Sequence, residues 1–373
     1  MIVNLNFGQE GLMMPGDWMS ITQKIFSQSG TVMVLGKTDS GKTSFIKILA
    51  QYLARRNRKV GIIDLDIGQS TLGPPGTISM GVLDKERLKK KIIPVRYMVF
   101  IGSTSPGKCV DRFLARAYHL YCLGQREKVD TLLVDTTGLI LGSLGVYLKC
   151  NLVEKIDPTI IVALQFGQEL EPILEIFKSQ SSRQIFRIKP FPNISEKNWI
   201  ERKKRRERQF KIYFRDSLIR DIDFTTLPIT GIYFDSIFLS DTEIITQLKE
   251  KYQLEVISGD IIDSKMILIL PGPPTILSQD IVNIITDIKK CYKLKQIILL
   301  FSDWFSYLLV SFNNKEGLSN GLGIIKEIDF KQKKMTVYLP ASISLENLAQ
   351  IEIGQLKVKP DGSELPYIEP AEY

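Results

Sequence analysis

Residues 36–43, Gly36-Lys-Thr-Asp-Ser-Gly-Lys-Thr43, decide the fold of this chain. The octapeptide follows a β-branched and apolar stretch, Thr31–Leu35, and it precedes Ser44–Arg56, where apolar residues recur at helical spacing. Its glycines let backbone N–H groups turn inward onto a phosphate, and the N-terminus of the following helix adds a favourable dipole. The strand–loop–helix order therefore predicts a phosphate-binding loop. A glycine-rich turn without a ligand is the alternative.

Each position of this loop has an expected contact with a nucleotide. The ammonium of Lys42 would reach the β and γ phosphates, and the hydroxyl of Thr43 would bind Mg²⁺. The sequence thus predicts ATP and Mg²⁺ as cofactors. The residues predicted to bind the nucleotide are Gly36, Lys37, Thr38, Asp39, Ser40, Gly41, Lys42 and Thr43.

The pattern around the loop predicts the fold class and the domains. Short, continuously apolar stretches alternate with helical segments, which is typical of an α/β fold with a parallel sheet and helices on both faces. We expect a short lead over residues 1–30 and a P-loop domain over 31–227. A β-rich domain is expected over 228–373, with a strand at Gly231–Leu239 and a helix at Ser278–Lys290 among its elements.

Composition narrows the class of protein. The chain has 373 residues, 44% hydrophobic and 24% charged, which excludes global disorder. No apolar run approaches the roughly 20 residues of a membrane span, and the start of the chain lacks the pattern of a signal peptide. Four dispersed cysteines and one histidine exclude a disulfide framework and a histidine-rich metal site. We expect a cytoplasmic protein with no membrane partner.

Two carboxylates, those of Asp64 and Asp66, lie at the end of the second apolar stretch, Val60–Leu65. Ligands bind beyond the carboxyl ends of parallel strands, so both side chains should face the nucleotide. One carboxylate could organise Mg²⁺ and the other could take a proton from an attacking hydroxyl. We assign the metal to Thr43 and Asp64 and the proton to Asp66, although the pattern leaves open which aspartate is the base. A capping or loop aspartate is the alternative.

Another predicted strand, Thr131–Val134, is followed by Asp135-Thr-Thr-Gly138. As D-x-x-G, this string is similar to the γ-phosphate sensor of GTPases. The guanine-specifying Asn-Lys-x-Asp is missing, since Asn314-Lys-Glu-Gly317 lacks the aspartate and lies in the other predicted domain. A GTPase is therefore disfavoured.

The basic excess is concentrated in one segment. The chain carries a net charge of +8. Residues 201–220 contain nine Lys and Arg against three Asp and Glu, so most of that excess lies here. Arg202 and Arg206 are four residues apart and share one face of a helix, where guanidinium groups could neutralise a transferring phosphoryl group. A solvated helix face is the alternative.

These motifs together resemble the polynucleotide 5′-hydroxyl kinases of mRNA 3′-end processing, tRNA splicing and pre-rRNA processing. The five motifs occur in the order found in that family. They are similar to its P-loop (36–43), its D-x-D-x-x-Q variant of Walker B (64–69), its G-x-T-S-P segment (102–106), its clasp (137–142) and its arginine-bearing lid (202–214). The clasp carries Leu139 where the family has tryptophan. The short N-terminal lead is similar to compact archaeal or bacterial members, which implies a free-standing enzyme without an obligate protein partner.

The resemblance implies transfer of the γ-phosphate of ATP to the 5′-hydroxyl of RNA, with DNA as a further acceptor left open. An ATP-binding RNA-processing scaffold and a P-loop switch that hydrolyses ATP or GTP are the alternatives. The predicted catalytic residues are Lys42, Asp66, Arg202 and Arg206. The residues predicted to hold the nucleic-acid end are Gln69, Ser105, Thr137 and Gly138.

Overall fold

A computed structural model describes most of the chain, in two compact units, Met1–Gln209 and Phe210–Tyr373. Within the described ranges, no helix is long and apolar enough to cross a membrane. The described residues are 2–4, 15–179, 183–190, 197–231, 242–262, 264–272 and 279–373.

The first unit alternates strands and helices. Its strands are β1 Ile2–Asn4, β2 Gly30–Gly36, β3 Val60–Asp64, β4 Thr77–Leu83, β5 Ile92–Phe100, β6 Thr131–Asp135, β7 Ile160–Leu164 and β8 Gln184–Ile188. Its helices are α1 Gly16–Phe26, α2 Lys42–Arg55, α3 Lys85–Lys89, α4 Val110–Arg126, α5 Gly142–Ile156 and α6 Glu171–Phe177, and α7 Trp199–Tyr213 begins in it.

These strands form one sheet in the order β1-β5-β4-β3-β6-β2-β7-β8. The strands β3, β6, β2, β7 and β8 are mutually parallel, which confirms the predicted parallel sheet. Strand β4, which the sequence analysis did not identify, runs antiparallel to both β3 and β5. Strand β1 also runs antiparallel to its neighbour β5, so the sheet is mixed at this end.

Helices cover both faces of the sheet. Val32 and Val34 of β2 pack in one hydrophobic cluster with Phe45 and Leu49 of α2. On the opposite face, a Cβ placed on Gly124 of α4 would lie 3.3–3.5 Å from the side chains of Ile63 and Leu132. Successive residues of a strand point to opposite faces of the sheet. Because helices cover both faces, consecutive residues of these strands are buried, and the strands are apolar throughout.

The second unit is rich in β structure, as predicted. Its strands are β9 Ser217–Asp223, β10 Ile229–Thr230, β11 Ser258–Ile262, β12 Lys265–Leu270, β13 Gln296–Phe301, β14 Leu308–Asn313, β15 Ser319–Asp329, β16 Lys334–Pro340, β17 Gln350–Val358, β18 Glu364–Leu365 and β19 Ala371–Glu372, and its helices are α8 Thr242–Tyr252 and α9 Gln279–Cys291. The strands form two sheets. One has seven strands, in the order β10-β17-β14-β15-β16-β9 with β18 paired to β17, and the other has four, in the order β11-β12-β13-β19.

The division between the units lies earlier than residue 227, where the sequence analysis placed it. Strand β9 pairs with β16 along its whole length, from Ser217 opposite Pro340 to Asp223 opposite Lys334. This ladder joins residues 217–223 to the β-rich unit. Most of the strand expected at Gly231–Leu239 lies outside the described residues, and the helix expected from Ser278 is α9.

Candidate active site

The phosphate-binding loop connects β2 to α2, as the sequence predicts. Gly41 has φ of +91°, a left-handed conformation that only glycine adopts without strain, and it immediately precedes the first residue of α2. Lys42 is 6% exposed, and its Nζ donates a hydrogen bond of 2.7 Å to the carbonyl oxygen of Lys37, across the loop. Burial lowers the pKa of Lys42, and the carboxylates of Asp135, Asp66 and Asp39 oppose that shift.

Thr43 is paired with Asp135. The hydroxyl of Thr43 donates a 2.6 Å hydrogen bond to Oδ2 of Asp135, which ends the neighbouring strand β6 and is 2% exposed. The other oxygen, Oδ1, is buried and has no hydrogen-bond partner in the described part of the chain. Burial raises the pKa of Asp135 to about 7, with repulsion from Asp64 adding to it. An orphaned carboxylate oxygen beside a threonine hydroxyl fits a hard cation such as Mg²⁺.

Asp64, which the sequence analysis paired with Thr43, is engaged elsewhere. Its Oδ2 accepts hydrogen bonds from Thr71 N (2.6 Å), Leu72 N (3.1 Å) and the hydroxyls of Ser70 and Thr71 (3.1 Å each), and its Oδ1 accepts one from Asp66 N (3.0 Å). Both oxygens thus hold the loop after β3. In place of the expected Thr43–Asp64 pair, the structure brings Asp135 to Thr43.

Asp66, the residue predicted to be the base, has a fixed carboxylate that faces a cavity. Its Oδ1 accepts hydrogen bonds from the backbone N–H of Gly68 (3.1 Å) and Gln69 (2.9 Å), which fix the orientation of the carboxylate. Asp66 lines a cavity of about 510 Å³. The predicted residues that line this cavity are Lys37, Thr38, Asp66, Gln69, Ser105, Thr137, Gly138, Arg202 and Arg206. All five sequence motifs therefore contribute residues to the lining of this one cavity.

The clasp segment is pressed against the phosphate-binding loop. A Cβ on Gly138 would overlap the hydroxyl and the backbone nitrogen of Thr38, so glycine is required at this position. Behind it lies Lys149 of α5, which is fully buried. Its Nζ donates hydrogen bonds to the carbonyl oxygen (2.6 Å) and the hydroxyl (2.9 Å) of Thr137. Burial lowers the pKa of Lys149 to about 7, and repulsion from Lys42 contributes.

The sequence analysis missed Lys149, because a lysine in an amphipathic helix normally indicates a solvated position. The two hydrogen bonds make it a positioning residue for Thr137. We expect Lys149→Met, which keeps the length of the side chain, to raise the KM for the nucleic-acid acceptor about tenfold and to leave the Kd for ATP nearly unchanged.

A pH profile of stability tests the burial of Lys149 on which this role depends. The unfolded lysine keeps its proton to higher pH than the folded one, so between about pH 7 and 10 the parent should gain stability as pH rises. Lys149→Met should lack that gain in melting temperature. Equal pH profiles for parent and variant, or an unchanged acceptor KM, would contradict the assignment.

The arginine-bearing segment forms α7 and is docked on the loop. Asn198 and Glu201 cap its start reciprocally, each side chain accepting the other's backbone N–H at 2.9 Å. Arg202 donates a 2.8 Å hydrogen bond to Oδ2 of Asp39, which also accepts one from Lys197 N (2.9 Å). Burial alone would raise the pKa of Asp39, but these two hydrogen bonds bring it below its usual value.

Two further hydrogen bonds hold α7 over the cavity. Nε2 of Gln69 donates to the carbonyl oxygen of Arg202 (3.2 Å), and Nε2 of Gln209 donates to that of Ser70 (2.7 Å). The helix thus bridges the phosphate-binding loop and the loop after β3. Gln69 and Asp39, expected to contact the nucleic acid and the nucleotide, serve in this structure as docking points for α7.

Known proteins are similar to this chain over most of its length. Residues 36–216 match the family described as mRNA cleavage and polyadenylation factor CLP1 P-loop. The polyribonucleotide 5′-hydroxyl-kinase of Pyrococcus furiosus is 30% identical over 357 residues, covering 94% of each chain. That of Methanocaldococcus jannaschii is 31% identical over 337 residues, covering 90% of this chain and 88% of the relative. The chain belongs to the polyribonucleotide 5′-hydroxyl-kinase family. The resemblance found in the motifs is thereby confirmed.

A solved structure extends the likeness to the fold. The Clp1p chain of a wild-type Clp1p–Pcf11p complex matches with a TM-score of 0.59 and 16% identity, covering 91% of this chain and 79% of that one. At this identity the match shows the fold alone. It confirms a P-loop α/β fold followed by a β-rich region.

Proposed function

We propose that this protein transfers the γ-phosphoryl group of ATP to the 5′-hydroxyl end of RNA. The observation that carries the proposal is the position of Asp66, an oriented carboxylate in the same cavity as the phosphate-binding loop and two arginines. A kinase needs a base beside the acceptor hydroxyl, whereas a scaffold that only holds ATP does not. The names of the archaeal relatives support the same activity.

The residues divide the reaction between them. The loop amides and Lys42 hold the β and γ phosphates, and the ammonium exchanges the carbonyl of Lys37 for phosphate oxygens. Asp66 accepts the proton of the 5′-hydroxyl while the hydroxyl oxygen forms a bond to the γ phosphorus. The bond between that phosphorus and the oxygen that bridges it to the β phosphate breaks, and ADP leaves. Thr43 and Asp135 would hold Mg²⁺, which would supply positive charge beside the phosphates.

We expect the two arginines of the lid, Arg202 and Arg206, to have different roles in the reaction. Arg202 is hydrogen-bonded to Asp39 of the phosphate-binding loop, so it couples α7 to the nucleotide site. Arg206 lines the cavity one helical turn further along, where negative charge accumulates on the transferring group. We assign the stabilisation of that charge mainly to Arg206.

Arg206→Ala tests this assignment. We expect kcat to fall about 100-fold or more while the Kd for ATP changes by less than about threefold, because the arginine acts on charge that develops during transfer. Arg208→Ala is the matched control, since Arg208 is an exposed arginine on the same helix outside the cavity lining. A loss of ATP affinity with unchanged kcat would assign Arg206 to ground-state binding instead.

The activity itself is tested with γ-labelled ATP and the purified protein alone. Label should enter a 5′-hydroxyl RNA and not the same RNA carrying a 5′-phosphate, and a DNA oligonucleotide measures acceptor preference. Because no partner protein is added, transfer also tests our proposal that the enzyme is free-standing. Labelled phosphate released to water without labelled RNA would indicate an NTPase switch, and unchanged ATP would indicate a scaffold.

A further inference from the structure

The lining of the acceptor cavity lies on one side of the phosphate-binding loop. Apart from α7 and the loop itself, it comes from the segments after β3, β5 and β6. Strand β2, which leads into the loop, lies between β6 and β7 in the sheet. The γ-phosphate must face the acceptor, so the nucleoside end of ATP leaves the loop on the other side, toward the segment that follows β7.

An exposed aromatic ring stands at that side. Leu164, the last residue of β7, is in register with Gly36, and Phe166 follows two residues later. Phe166 is 56% exposed, and Nζ of Lys37 in the phosphate-binding loop lies 4.5 Å from the centroid of its ring. The ring is therefore held beside the loop by a cation–π contact, with much of its surface open to solvent.

The segment that carries the ring is pre-organised. The carboxylate of Glu169 accepts the backbone N–H of Phe166 (2.8 Å) and of Gly167 (2.9 Å). The side chain of Gln165 accepts Leu170 N at 3.2 Å and donates to Glu171 at 2.7 Å. Glu171 is in turn held by two 2.8 Å hydrogen bonds from one guanidinium, that of Arg187. An exposed ring on a fixed segment offers stacking area at little cost in conformational entropy.

We propose that Phe166 is the stacking platform for the nucleobase of the nucleoside triphosphate. The proposal deepens the kinase function above and rests on it for the direction of the triphosphate. A base laid on this ring is read by its face, and every base has a π-face, so ATP and GTP should both gain from it. The RNA end, entering through the cavity of Asp66, should not depend on Phe166.

Nucleotide binding by the full-length protein tests the platform. We measure Kd by calorimetry, in the presence of Mg²⁺, for ATP and for inorganic tripolyphosphate, which has the phosphates and no base. Phe166→Ala should weaken ATP about tenfold or more and leave tripolyphosphate within about twofold, because stacking is lost and the phosphate contacts remain. Phe166→Tyr, which keeps the ring, should bind ATP as the parent does. Tyr118→Ala, which removes an exposed ring of α4, is the matched control.

The outcomes separate this proposal from the kinase function. Unchanged ATP affinity in Phe166→Ala overturns the platform, and so does equal weakening of ATP and tripolyphosphate, which would mean that Phe166 only supports the phosphate-binding loop through Lys37. A change confined to RNA affinity overturns it as well. If Phe166→Ala fails to fold, Phe166→Leu, which keeps apolar bulk without an aromatic face, decides by the same comparison. Because these assays need no acceptor, the platform can stand when transfer fails, and fail when transfer stands.

Discussion

Asp66→Asn is expected to abolish transfer of label to 5′-hydroxyl RNA while ATP still binds. An amide cannot accept the hydroxyl proton, and general-base catalysis typically contributes about 10²–10⁴-fold to a rate. The asparagine oxygen can still accept the backbone N–H of Gly68 and Gln69, which now hold Oδ1, so the loop should keep its shape. The loss should therefore appear in kcat rather than in ATP affinity or melting temperature.

The measurement is single-turnover transfer from γ-labelled ATP, with the Kd for ATP measured in parallel. Asp111→Asn is the control, because Asp111 is an exposed carboxylate in the first turn of α4, and it should react as the parent does. Full phosphorylation by Asp66→Asn would sink the assignment of the base. A parallel loss of ATP binding would place Asp66 in the nucleotide site rather than at the acceptor.

Local sequence signals predicted most of the fold around the site. The phosphate-binding loop identifies its own strand and helix because its chemistry requires both, and β2 and α2 end within one or two residues of their expected bounds. Strand β4 was missed. It is buried throughout although Thr77 and Ser79 are polar, so its composition does not read as a continuous apolar run. The turn that reverses the chain before it also depends on a hydrogen bond from Gly76 N to the carbonyl oxygen of Ile67, nine residues earlier.

The candidate site was predictable in its motifs and less so in its pairings. The sequence supplied two aspartates after β3 and one after β6, and nothing local says which of them turns toward Thr43. Asp64 and Asp135 are direct neighbours across the β3–β6 ladder, so either side chain could reach Thr43 at the start of α2. The choice depends on the segment 70–72, whose backbone and hydroxyl groups take up the carboxylate of Asp64. Lys149 was missed for a related reason, since its partner Thr137 is set by packing.

That difference in pairing gives the second large expected effect. Asp135→Asn should raise the Mg²⁺ concentration needed for half-maximal transfer about 10–100-fold, because it removes the charge beside Thr43 and the orphaned carboxylate oxygen. Melting temperature without metal should change little, because asparagine can still accept the hydrogen bond from Thr43. The measurement is a Mg²⁺ titration of transfer at saturating ATP.

Asp64→Asn is the paired variant, and it should fail in a different way. With the amide oxygen in place of Oδ2, the NH₂ group in place of Oδ1 would face the backbone N–H of Asp66, leaving that donor unsatisfied at a cost of about 2 kcal/mol. We therefore expect a lower melting temperature and a Mg²⁺ requirement near that of the parent for the molecules that remain folded. The reverse pattern, in which Asp64→Asn shifts the Mg²⁺ requirement at full stability and Asp135→Asn does not, would restore the pairing that the sequence suggests. Because the two residues adjoin in the sheet and receive the same substitution, the comparison isolates which carboxylate serves the metal.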